Sequence, residues 1–189
     1  MGGVCFAGDD EEPAASEGFQ RYPEAPAVTA HRVQLMDGSI DYLAVADTMV
    51  LVNDEDEEEA RVFYIAYRKV DLAAVNEDLA REVVGEEADE RIKTSYSGPG
   101  ERGTALAQAM MEAGKDPLEL FGRPDAGERA ITFSFNGGPG SSSVWLHLGV
   151  FGPKRAAYAD AVGNQGAPPY GVVDNLHSML DRSDFVFID

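Results

Sequence analysis

Alternating apolar and polar positions dominate the first third of the chain. Arg32 to Met36 and Ser39 to Val45 flank Asp37-Gly38, a pair that accepts positive φ and so predicts a tight hairpin. Thr48 to Val52 and Val62 to Tyr67 repeat the pattern around the acidic loop Asn53 to Ala60. Val62-Phe63-Tyr64-Ile65 has the β-branched and aromatic content of a strand interior. An antiparallel meander is expected here. The period then lengthens. Leu72, Val75, Leu79 and Val83 recur at helical spacing between Asp71, an N-cap type, and Gly85, a stop. Residues 86–103 are acidic and then rich in Ser, Gly and Pro, which predicts loop. Leu106, Ala109, Met110 and Ala113 mark a second helix ending at Gly114, and Asp116 to Gly127 returns to loop. Stripes of this kind face a core and carry no chemistry.

Two short apolar runs follow. Ile131 to Phe135 enters Asn136-Gly137-Gly138-Pro139-Gly140, and a short helix is expected over Ser143 to Leu148. Gly149 to Arg155 and Asn164 to Tyr170 read as turn and loop, before a turn at Ser178 to Asp181. Phe185-Val186-Phe187-Ile188 is wholly apolar, as a buried parallel strand would be. Such a strand needs a further connection and a covering helix, so a chain stopping at Asp189 is expected to be truncated. Residues 1–28 lack a hydrophobic period and predict a flexible leader. Residues 29–189 then form part of one domain, with a helical insertion at about 70–127.

Composition narrows the partners. With 34 acidic against 15 basic residues the net charge is −19, which argues against nucleic acid and anionic membranes. Few of the bases are Lys (Lys69, Lys93, Lys115 and Lys154), and an acidic, Lys-poor surface suggests adaptation to high salt. No apolar run approaches the roughly 20 residues of a membrane helix. The N-terminus has no basic region before an apolar core, so no secretory signal is visible. The single Cys5 excludes an intramolecular disulfide and a zinc cluster, and no cofactor or metal is expected.

The glycine loop carries the chemistry. Gly137, Gly138, Pro139 and Gly140 cannot cheaply extend a central strand or begin a helix, so they form a sharp loop whose bare backbone admits a ligand. A phosphate loop would need a Lys after the glycines, and none follows. Gly138-Pro139-Gly140 supplies half of a dinucleotide fingerprint, but Ser143 stands where its third glycine belongs. Gly140-Ser141-Ser142-Ser143-Val144 lacks the last glycine of a nucleophile elbow, so Ser142 is a poor nucleophile candidate. What fits is an oxyanion loop, in which glycines let a backbone N–H reach a tetrahedral intermediate.

The run Asn136-Gly137-Gly138-Pro139-Gly140-Ser141-Ser142-Ser143 resembles the Asn-Gly-Gly-Pro-Gly-x-Ser-Ser signature of the serine carboxypeptidase family. Val144-Trp145-Leu146-His147-Leu148-Gly149 and Gly152-Pro153 look like its bacterial and archaeal branch, and Asp174-Asn175-Leu176-His177-Ser178 is similar to a later family segment. The resemblance implies an α/β class, specifically an incomplete α/β-hydrolase fold with an antiparallel meander leading into central parallel strands. It implies a serine-type carboxypeptidase that releases C-terminal residues of peptides or proteins through an acyl-enzyme. Gly138 would give an oxyanion-hole amide, and Asn136, with Gly137 beside it, would bind the substrate carboxylate. Pro139 and Gly140 would shape the loop. The chain departs from the family at Ser134, where a Trp is common, and at Leu176, where Pro is usual. The triad Ser, Asp and His are not encoded, and His147 and His177 read as structural, so the isolated chain is expected to be inactive. An acyltransferase or lyase on the same scaffold, or a non-catalytic acidic binding protein, are the alternatives.

Overall fold

The computed structural model describes residues 26–96, 98–123, 129–138, 141–158 and 167–189. Strands β1 (Ala27–Leu35), β2 (Gly38–Val52) and β3 (Glu58–Val75) form the expected meander, each antiparallel to its neighbour. Leu35 pairs with Gly38, so the hairpin turn falls on Met36-Asp37, one residue before the predicted pair. Gly38 still supplies the positive φ, at +138°. Ser39 to Val45 and Thr48 to Val52, expected as separate strands, are continuous in β2. β2 and β3 hold one register from Asp41–Val70 to Leu51–Ala60, and slip only at Leu51/Val52. β1 begins within the stretch read as leader; the rest of that leader, with Cys5, lies outside the described residues.

The helical region starts later than the apolar spacing predicts. β3 continues to Val75 because Val70 and Leu72 are buried in a core and Phe121–Gly122 (β4) pairs along its end. Asn76, not Asp71, caps α1 (Glu77–Val84), its side chain accepting from the Leu79 amide at 3.2 Å. Gly85 ends that helix at φ +81°, as expected. α2 (Glu86–Ser95) and the start of α3 (Pro99–Glu112) fill the stretch read as loop. Charge, not an apolar stripe, holds α2. Asp89 is fully buried against Lys93 one turn on, at 2.6 Å, while Arg102 of α3 binds Glu77 of α1 at 2.8 Å.

α3 lays Leu106, Ala107 and Met110 on one face of the sheet, over Val28, Ala30 and Leu43. A second core on the other face joins Val33, Tyr42, Tyr67, Leu180, Phe185 and Phe187. After Leu180 the chain enters β8 (Ser183–Ile188), which pairs parallel with β5 (Ala130–Phe135) and antiparallel with β3.

The expectation of an incomplete α/β-hydrolase fold is thereby overturned. The sheet order is β1-β2-β3-β8-β5 with β4 on β3, six strands of which only β5 and β8 are a parallel pair. The fold is mixed α/β on a mostly antiparallel sheet. Its physical cause is β3, which stands between the meander and β8 and runs antiparallel to both. Among the described residues β5 is also an edge strand, not a central one. Ile131, Phe133 and Phe135 share a face and are 54, 61 and 69% exposed. A separate ribbon of β6 (Lys154–Ala156) and β7 (Val172–Asp174) packs beside the main sheet. No described helix is long and apolar enough to cross a membrane.

Candidate functional site

β5 delivers Asn136, Gly137 and Gly138 directly at its C-terminal end. Phe135 pairs with Ile188, so the parallel register carries Asp189 to the same level. Gly138 lies at φ +88°, in the left-handed region that a side chain disfavours, and its carbonyl accepts from the Ser141 amide at 3.2 Å. A Cβ added to Gly137 or Gly138 would meet nothing within 4 Å, so the outer surface of both peptides is open. No described residue accepts from either glycine amide. Pro139 and Gly140, read as shaping the loop, lie outside the described residues.

Asn136 turns its amide back onto this loop, Nδ2 donating to Ser141 Oγ at 2.5 Å. An amide nitrogen carries two hydrogens, which leaves one for an incoming acceptor. The structure thus makes Asn136 a loop brace as well as a candidate ligand contact.

Asp189 clasps the far side of the loop. Its carboxylate accepts from Ser142 Oγ at 2.9 Å and from the Ser143 amide, and its own amide donates to Phe63 at 2.9 Å. Burial alone would raise this carboxyl, but the Ser143 and Ser142 donors outweigh it and hold it below the ordinary Asp value. Ser142 Oγ also accepts from the Val144 amide at 3.2 Å, which occupies the hydroxyl in loop structure. Ser143 is buried, and its own Oγ has no partner among the described residues.

Behind the loop, α4 (Val144–Leu146) runs into a wider, π-type turn over His147–Phe151. His147 Nε2 meets Tyr67 Oη at 2.5 Å, and its ring stacks on Phe187 with centroids 4.6 Å apart. Gly152 closes over the imidazole, where a Cβ would come within 2.8 Å of His147 Cδ2. Burial lowers the His147 pKa, with Asp189 opposing in part, while burial pushes Tyr67 up to about 12. Both rings are therefore neutral at pH 7. His147 Nε2 is thus committed to Tyr67.

The segment Asp174 to Ser178 braces the same turn. Buried Asn175 donates Nδ2 to the carbonyls of Val150 and Gly152 at 2.8 and 2.9 Å, and Ser178 Oγ donates to Phe151 at 2.9 Å. This fixes the turn that carries His147. His177 is exposed and takes part through its amide, which donates to Asn175 Oδ1 at 3.2 Å. Leu176, at the usual Pro position, is exposed, and its carbonyl accepts from Met36. Ser134 is buried opposite Phe187 in the β5–β8 register.

Sequence reading missed Asp189 and Tyr67. The available signal for Asp189 was an acid ending an apolar strand level with the glycine loop; Tyr67 offered none beyond its place in an alternating strand. The geometry can present backbone N–H donors and one side-chain amide hydrogen to an anion, and Phe135 and Trp145, on either side of the loop in sequence, are exposed. No protein-family model, curated protein or solved structure matches the chain.

Proposed function

We propose that the chain carries the oxyanion- and carboxylate-binding loop of a serine-type carboxypeptidase whose substrates are peptide or protein C-termini. The observation that carries this reading is the unobstructed backbone of Gly137 and Gly138, held at the end of β5 with Asn136 beside it. In such a reaction a serine attacks the scissile carbonyl, a histidine moves the proton and an acid orients the histidine. The carbonyl oxygen becomes an oxyanion, and one preorganised amide such as that of Gly138 stabilises it by about 3 kcal/mol. The second Nδ2 hydrogen of Asn136 would bind the substrate's free carboxylate, and Phe135 and Trp145 would flank the apolar side chain of its last residue. The 189 residues contain no Gly-x-Ser-x-Gly elbow, so their part in that chemistry is binding, and the nucleophile is not among them.

Calorimetric titration with an acyl-dipeptide as free acid and as C-terminal amide tests the reading. The acid is expected to bind roughly tenfold more tightly, as one charge-assisted hydrogen bond allows, and Asn136→Asp should abolish that preference by repulsion. Equal affinity for acid and amide, or a preference surviving Asn136→Asp, would overturn it. A fluorophosphonate is expected to leave the chain unlabelled; a covalent adduct on Ser142 would replace this assignment with a different one.

A further inference from the structure

The geometry points to a second ligand site, on the helical face of the sheet, for a small apolar carboxylate held by Arg68. A cavity of about 190 Å³ lies between β2–β3 and the end of α3 with the turn that follows it. Leu43, Ala66, Met111 and Leu118 make its walls largely apolar. A 150 Å³ apolar cavity in a protein core is known to hold benzene, so this one has room for a six-membered ring.

Arg68 gives the cavity its polarity. The β2–β3 register sets it beside Leu43, and it lines the space with its Nε buried and lacking a hydrogen-bond partner among the described residues, while the side chain as a whole is 32% exposed. Its nearest carboxylate is Asp184, 3.8 Å from Nε and too far for a hydrogen bond. The other oxygen of Asp184, Oδ1, is already taken. Arg129, as buried as Asp184 itself, donates to it at 3.0 Å, and the Lys69 amide donates at 3.1 Å. Two guanidinium groups thus share one carboxylate, and Arg68 is the one left with charge to spare. The other polar groups at the cavity do not fill this role. Asp116 directs its carboxylate to the Leu118 amide at 2.9 Å, and Tyr64 Oη donates to Asp47 at 3.2 Å. A planar guanidinium recognises a carboxylate through paired N–H donors, so the ligand that fits both wall and charge is an aromatic or branched aliphatic monocarboxylate.

This site is independent of the glycine loop. Arg68 stands beside the first residues of β8, whereas Asn136 lies level with its last. Failure here leaves the loop reading untouched, and the converse holds.

The probe is benzoate, with neutral benzamide as its isostere, followed by NMR on the intact chain. Benzoate should shift the Leu43, Ala66, Met111 and Leu118 resonances saturably, with benzamide at least about tenfold weaker. Arg68→Met should bring benzoate down to the benzamide level while the remaining amide spectrum is preserved. The absence of saturable shifts up to about 10 mM would overturn the proposal, as would equal binding of acid and amide, or unchanged benzoate binding in Arg68→Met. If Arg68→Met fails to fold, the comparison of the two probes on the unsubstituted chain decides the matter alone.

Discussion

Tyr67 and His147 are 80 positions apart in sequence and meet at 2.5 Å beneath the glycine loop. The imidazole is stacked, hydrogen-bonded and covered, so its charged form loses hydration that the fold does not replace. Its folded pKa lies below the 6.5 of an open histidine, and burial likewise lowers His31. Between the folded and unfolded values the unfolded chain binds more protons. Stability is therefore full above about pH 6.5 and falls as the pH drops towards the folded value. Urea midpoints should fall between pH 7.5 and pH 5, and His147→Gln should reduce the slope to the share that His31 contributes. An unchanged slope would mean that His147 is already charged in the folded chain. At this scale Asn136 and Gly138 were legible in the sequence, because a run of glycines after a strand has few local explanations. Asp189 and Tyr67 were not, since their partners come from distant strands through register and leave no local pattern.

α3 packs closely where it crosses β1 and β3. Gly103 faces the sheet, and a Cβ there would lie 2.9 Å from Ala30 Cβ and 3.0 Å from Leu72 Cδ2. Thr104 reinforces the contact by accepting from the Ala30 amide at 2.8 Å, which satisfies part of the β1 edge. Gly103→Ala sets two effects against each other. Alanine improves helix propensity by about 1 kcal/mol, while overpacking costs about 1–3 kcal/mol. Ala30 has no side chain to swing aside, so overpacking should win, with a net loss of about 1 kcal/mol in chemical denaturation. A neutral or stabilising result would show that the helix can lift off the strand freely. The hairpin, α3, β5 and β8 were visible as periodic or apolar runs. α2 was hidden because buried Asp89 and its cations replace an apolar stripe. The end of β3 was hidden because Leu72 and Val75 fit a helical stripe, while pairing with β4 decided the outcome. The central parallel strands expected after the meander are reduced to the single pair β5 and β8, with β5 at the edge among the described residues.

Across the whole molecule the net charge of −19 works against compaction, since like charges crowd on folding. Acidic runs such as Asp54 to Glu59 and Glu86 to Glu90 are mostly exposed, so their repulsion responds to salt. The thermal midpoint should rise as sodium chloride is increased from dilute buffer to about 1 M, where the Debye length is about 3 Å. A midpoint independent of salt would remove the case for salt adaptation. The same screening bears on the open flank of β5. Six uncharged residues, three of them large and outward-facing, end the sheet with an unpaired row of main-chain groups among the described residues. Proteins usually protect such an edge with a lysine or proline placed on it, and β5 has neither. Like charges on two copies oppose their approach to this edge at low salt. Colloidal behaviour and fold stability therefore answer to salt in opposite senses: conditions that tighten the monomer also let it find another copy.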